Sequence, residues 1–139
     1  MVTYFKINWL KIAQKTAKLL EKYGAIVYLT RYGDYDLSSP SAKRRKKSDF
    51  DNRIKLINNS EADLYISIHM NFLDSSKYYG AQVFYTKSNQ LLALEIQDVF
   101  IDELKSPLKA RELLNDIYMY KKLDIPGVLI ECGFLSNSS

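Results

Sequence analysis

Between Ile7 and Tyr23 the apolar positions Trp9, Ile12, Ala13, Ala17, Leu20 and Tyr23 recur at i, i+3 and i+4, with Lys11, Lys15, Lys18 and Lys22 largely opposite. This rhythm predicts an amphipathic helix, and Gly24 supplies its stop. Ala25–Thr30 is short, β-branched and mostly apolar, the pattern of a buried strand. Tyr32–Ser48 is polar and carries Gly33, Pro40 and several serines, which predicts a long surface loop or partly helical connection. Ser48 with Asp49 and Asp51 then predicts a helix start, followed by Phe50, Ile54 and Ile57 at helical spacing. A second strand is expected over Leu64–His69, ending on the histidine, and a third over Gly80–Thr86. A second long helix is expected over Gln90–Leu104 with Ser88 as N-cap. Ile117–Tyr120 and Val128–Glu131 read as short strands separated by a turn at Asp124–Gly127. Helices and strands in this order predict an α/β fold: an open, mostly parallel or mixed sheet with helices on both faces.

Composition narrows the class. A chain of 139 residues with 47% apolar and 13% aromatic residues can bury one core, so a single domain over residues 1–139 is expected and disorder is excluded. The single cysteine, Cys132, forms no intrachain disulfide and offers no cysteine-based zinc site. No apolar run approaches the roughly 20 residues of a membrane span, and Met1–Lys6 lacks the apolar core of a signal peptide. The expectation is a soluble chain with no transmembrane segment and no export signal.

The net charge is +4 and the isoelectric point about 9.0, with much of the excess in Lys43-Arg44-Arg45-Lys46-Lys47. The plain reading of such a run is a solvated segment ahead of a helix. It can also grip a polyanion by releasing counterions, whether nucleic acid or an anionic cell-wall polymer. The run lacks interleaved aromatic residues, so no nucleic-acid partner is expected.

Candidate chemistry gathers at two strand ends. In open α/β sheets, ligand-binding residues collect at the carboxyl ends of strands, where His69 and Glu131 are expected. Each has an ordinary alternative, a hydrogen-bonded core histidine and a surface carboxylate. Glu131 is set apart by Val128-Leu129-Ile130 before it and Gly133-Phe134-Leu135 after it, because a carboxylate buried there needs a partner. A metal that polarises an amide carbonyl and acidifies water, with a carboxylate to carry the proton, is the minimum machinery for amide hydrolysis at neutral pH. His69 as ligand and Glu131 as that carboxylate divide the work in this way. Asn71, two residues past His69, is a candidate to hydrogen-bond substrate or orient a neighbour, with an ordinary loop asparagine as the alternative.

These residues belong to a longer set. Leu29-Thr30-Arg31 followed by Asp34, Arg53 with Asn58, Ala62-Asp63 ahead of Ser67-Ile68-His69-Met70-Asn71, Gly80-Ala81-Gln82-Val83-Phe84-Tyr85, Leu92-Ala93 with Ile96-Gln97, and Pro126-Gly127 through Glu131 to Gly133-Phe134-Leu135-Ser136-Asn137 fall in one order. In that order, over roughly residues 6 to 137, the chain resembles the zinc-dependent N-acetylmuramoyl-L-alanine amidases, which cut the peptide from the sugar of peptidoglycan. Within that family, Gly33-Asp34-Tyr35-Asp36-Leu37, the basic run, and Lys109-Ala110-Arg111 ahead of Ile117-Tyr118 resemble the spore-cortex, germination-specific type, which helps make muramic-δ-lactam.

The resemblance implies His69 as a Zn2+ ligand, Glu131 as catalytic acid/base, and Asn71 and Arg111 as substrate contacts. It implies peptidoglycan as substrate and work outside the cytoplasm in cell wall or spore cortex, while a sheet short of a strand leaves unpaired backbone and an uncovered apolar face, for which a protein partner or self-association is expected. It also implies two further zinc ligands: a histidine from a Gly-His-Gly-Gly loop after a first strand, and a glutamate before the first long helix. The chain begins at that helix, and with Lys6 aligned, Phe5 stands where the glutamate is expected. Asp34, Asp36, Glu61 and Asp63 are candidate substitutes, and the spacing selects none. The expected architecture therefore lacks the family's first strand and last helix, a domain truncated at both ends. The alternative is a metal-free, non-catalytic remnant of the scaffold that binds cell wall or a partner.

Overall fold

The computed structural model describes residues 5–114 and 117–137. The chain forms two compact units, one from Met1–Asp63 with Asn115–Ile125 and the other from Leu64–Leu114 with Pro126–Ser139.

The first unit carries α1 (Phe5–Lys22) and α2 (Arg45–Asn58). Helix α1 ends where the spacing predicts, and Gly24 follows in a left-handed conformation at φ +92°. The Arg31 guanidinium lies 4.0 Å from the centre of the Trp9 ring, and the Gln14 amide donates to the Tyr32 carbonyl at 3.2 Å. Together they tie the segment after α1 back onto it. Ala25–Thr30 does not form the expected strand. Ile26 is 83% exposed and Tyr28 64%, and no strand pairs with the segment among the described residues. A β-prone run becomes a strand only when a neighbour accepts its backbone groups, and local propensity supplies none.

Helix α2 starts at Arg45, three residues ahead of the expected Ser48, and Arg44 at its N-cap makes no side-chain capping bond. The residues expected to cap it clip the preceding loop instead. Ser48 Oγ accepts from the Ser39 N–H at 2.9 Å and Asp49 Oδ1 from the Leu37 N–H at 2.7 Å. Arg53 pairs with Asp49 at 3.0 Å and reaches Thr30 Oγ1 at 3.1 Å, while Asn58 donates to the Lys122 carbonyl and accepts from the Asp124 N–H. Thr30, Arg31, Arg53 and Asn58 are thus structural ties. Ile117–Tyr120, expected as a strand, is a turn leading into a short 3-10 helix at Tyr120–Lys122.

The second unit holds a mixed sheet of four strands, β1 (Tyr65–Asn71), β2 (Gln82–Tyr85), β3 (Arg111–Glu112) and β4 (Gly127–Phe134), in the order β1-β4-β2-β3. β1 runs parallel to β4, β4 antiparallel to β2, and β2 parallel to β3. Helix α3 (Gln90–Leu104) has the expected bounds. Its N-cap is Asn89 rather than Ser88, which lies in the 3-10 turn Lys87–Asn89. Val83, Val128 and Ala93 are fully buried where α3 meets the sheet, with Tyr85, Leu92, Ile96, Phe100 and Ile130 packed around them. Each buried valine stabilises by about 1.5–3 kcal/mol. Gln97, 2% exposed, locks α3 to the start of β2: it accepts from the Val83 N–H at 2.8 Å and donates to the Ala81 and Leu108 carbonyls at 3.1 Å each.

Candidate active site

Side chains alternate along a strand, and residues in register on adjacent strands share a face. Val128 and Ile130 of β4 pack with Val83 of β2 against α3, so Leu129 and Glu131 belong to the opposite face. Register places His69 of β1 opposite Glu131 of β4, and Glu131 opposite Gln82 of β2. His69, Glu131 and Gln82 therefore form one row across three strands, on the face away from α3.

Both candidate residues sit inside their strands rather than at the ends expected from the sequence. β1 continues to Asn71 and β4 to Phe134, with an extra residue in β4 shifting the register between His69 and Asn71. This bulge includes Cys132 and Gly133, and it interrupts the regular alternation directly after the row.

The glutamate is held in an unusual state. Glu131 Oε2 is buried and has no hydrogen-bond partner among the described residues. Burial raises its pKa from 4.5 to about 7, because desolvation penalises the charged carboxylate. At neutral pH such a group both accepts and donates a proton, the property required of a general acid/base. The neighbouring Cys132 thiol is pushed up to about 11, first by burial and then by the Glu131 charge, and is a poor nucleophile. His69 is exposed, and its Nε2 lies 3.0 Å from Ser67 Oγ, two residues back on the same face. Ser67 was not singled out in the sequence, although the period of two would have pointed to it. Gln82, also missed, is 8% exposed and donates through Nε2 to the Lys109 carbonyl at 2.8 Å.

The other two candidates lie apart from this row. Asn71 Oδ1 accepts from the Phe72 N–H at 2.8 Å, which fixes the turn after β1. Arg111, exposed on β3, is in register with Phe84. That is about 10 Å across and about 7 Å along the sheet from Glu131, from ordinary strand spacings.

An imidazole and a carboxylate with an orphaned oxygen suit zinc in kind but not in number. Among the described residues, no three His, Cys, Asp or Glu side chains are grouped to hold one metal ion. Of the suggested substitutes, Asp36 is committed to Arg45 and Ser38.

A family model for N-acetylmuramoyl-L-alanine amidase (amidase_3) matches residues 5–139. The chain belongs to this amidase family. It is 42% identical over 136 residues to a germination-specific N-acetylmuramoyl-L-alanine amidase of Bacillus subtilis, covering 94% of this chain and 57% of that protein. It is 30% identical over 132 residues to a probable cell wall amidase, LytH, of Staphylococcus saprophyticus, covering 95% of this chain and 40% of that one. The chain thus spans about half the length of these curated relatives. Among solved structures, the CwlD amidase of Clostridioides difficile, determined in complex with the GerS lipoprotein, matches with a TM-score of 0.84 and 37% identity over 92% of this chain and 69% of that one. Family membership and the mixed α/β fold agree with the resemblance read from the sequence.

Proposed function

We propose that this chain is the catalytic part of an enzyme that hydrolyses the amide between N-acetylmuramic acid and L-alanine in peptidoglycan, acting outside the cytoplasm in cell wall or spore cortex. The observation that carries the reading is Glu131: a buried, unbonded carboxyl oxygen with a pKa raised to about 7, in register with the chain's one histidine. In this reading Glu131 takes a proton from the attacking water as its oxygen adds to the lactyl carbonyl carbon. Glu131 then returns the proton to the alanine nitrogen as the C–N bond breaks, leaving a muramic acid carboxylate and a free L-alanine amine. His69 would supply one imidazole to a zinc ion, and among the described residues no grouping of three His, Cys, Asp or Glu side chains completes the set. A zinc ion held there would supply Lewis-acid polarisation of the scissile carbonyl. Arg111 and Asn71 contact the substrate away from the reacting bond. The 42% identity to a germination-specific relative supports a role in cortex maturation and muramic-lactam formation. The relative solved with a lipoprotein supports a protein partner.

The test is product identity. Purified peptidoglycan incubated with the chain and zinc is expected to yield stem peptides with free L-alanine amino termini and no new reducing sugar ends. New reducing ends without free alanine would overturn the reading. One observation favours a second reading, a wall-binding module without catalysis: the absence of a three-ligand cluster among the described residues. Cosedimentation with peptidoglycan without peptide release, at any zinc concentration, would select it.

A further inference from the structure

Between residues 31 and 58 lie eight basic and four acidic residues, an excess equal to the net charge of the whole chain, +4. Three of the four acids are consumed locally: Asp36 pairs with Arg45, Asp51 with Lys47 and Asp49 with Arg53. Lys43, Arg44 and Lys46 are exposed and face no carboxylate within ion-pair distance among the described residues. Five consecutive cations leading into a helix with no acidic residue in its first turn oppose both the helix dipole and one another. Asp36 and Asp51 neutralise Arg45 and Lys47, and Lys46 lies 5.9 Å from the Phe50 ring, but the charges of Lys43, Arg44 and Lys46 are left without a carboxylate among the described residues, which points to a use other than folding. The segment is also fixed in place. Ser48 and Asp49 hold the backbone of Ser39 and Leu37, Asn52 holds the Leu37 carbonyl, and Lys47 and Lys122 flank the Tyr118 ring at 5.5 and 4.3 Å.

We propose that Lys43, Arg44 and Lys46 form a docking surface for the free carboxylates of peptidoglycan stem peptides, retaining the protein on the insoluble polymer. The choice of peptidoglycan over other polyanions rests on the amidase reading and on the lack of aromatic residues within the run, which a single-stranded nucleic acid would use for stacking. A contact between exposed charges is screened by salt.

The experiment is cosedimentation of the full chain with peptidoglycan stripped of teichoic acids, across a sodium chloride series. The wild type is compared with the triple variant Lys43→Gln, Arg44→Gln, Lys46→Gln. Affinity is expected to fall with salt in the wild type. The variant is expected to bind at least about tenfold more weakly at low salt, with a shallower salt dependence, since each cation near an anionic surface contributes about fivefold. Amidating the stem carboxylates should weaken wild-type binding to the same extent. All three side chains are exposed, so an unchanged melting curve is expected, and hydrolysis of a small soluble muramoyl peptide should be unaffected. Equal sedimentation of wild type and variant, or salt-independent binding, would overturn the proposal. So would a variant that loses DNA binding yet keeps its hold on peptidoglycan. Because sedimentation is read without turnover, an inactive chain would sink the amidase reading and leave this one standing.

Discussion

Replacing Glu131 with Gln separates the electrostatic state of the site from its catalysis. In the folded chain burial lifts this carboxyl from 4.5 to about 7. Below pH 4.5 the group is protonated both folded and unfolded, and contributes no pH-dependent term. Between pH 4.5 and 7 the unfolded chain releases the proton while the folded chain keeps it, so stability falls as pH rises and the loss is complete above 7. The full shift corresponds to roughly 3 kcal/mol, at ~1.4 kcal/mol per tenfold. The side chain keeps part of its surface in water, and screening reduces this to about 1–2 kcal/mol. Glu131→Gln cannot ionise and escapes the term. In urea unfolding of both proteins in chelator-treated buffer, the variant is expected to gain about 1–2 kcal/mol on the wild type between pH 4 and pH 8. Taking the difference between the two proteins cancels titrations common to both. A difference that stays flat over that range, or one that grows toward low pH, would refute a carboxyl raised by burial.

Three further outcomes follow from the packing. Gly127 lies opposite Tyr65, whose ring carbons would be 2.3 Å from an added Cβ. Gly127→Ala should therefore cost about 1–3 kcal/mol in chemical denaturation, and much less in a Tyr65→Ala background; equal costs in the two backgrounds would exclude the clash. Gln97→Leu strands the Val83 N–H and the Leu108 carbonyl and should lower stability by about 2–5 kcal/mol, against less than about 0.5 kcal/mol for exposed Gln90→Leu. With its thiol half-buried and pushed up to about 11, Cys132 should react with a disulfide reagent at pH 8 at least about tenfold more slowly in the native chain than in the urea-unfolded one, so equal rates would contradict the raised thiol.

Periodicity located α1 and α3 because an amphipathic stripe is a property of local sequence. It failed at Ala25–Thr30 and Ile117–Tyr120, where becoming a strand depends on a neighbouring chain rather than on the run itself. It also misplaced the start of α2, because Ser48 and Asp49 have the chemistry of caps but spend it on the loop at Leu37–Ser39. His69 and Glu131 were legible as residue types beside apolar runs. Their alignment was not, since register between β1 and β4 joins positions 62 residues apart and is set by the sheet. Gln82 entered the row for the same reason. Burial of Glu131 was foreseeable from its apolar neighbours, whereas the separation of Arg111 from it required the strand order.

Amide cleavage is the role proposed for the row of His69 and Glu131. Its most direct test is the rate at which free L-alanine termini appear from peptidoglycan at pH 8, in one zinc-containing buffer, for wild type, His69→Ala and Glu131→Gln. Measurable release by the wild type with at least a 100-fold loss in each variant is the expected result, in keeping with about 10²–10⁴ for a general acid/base. Wild-type release that either variant retains in full would contradict the account.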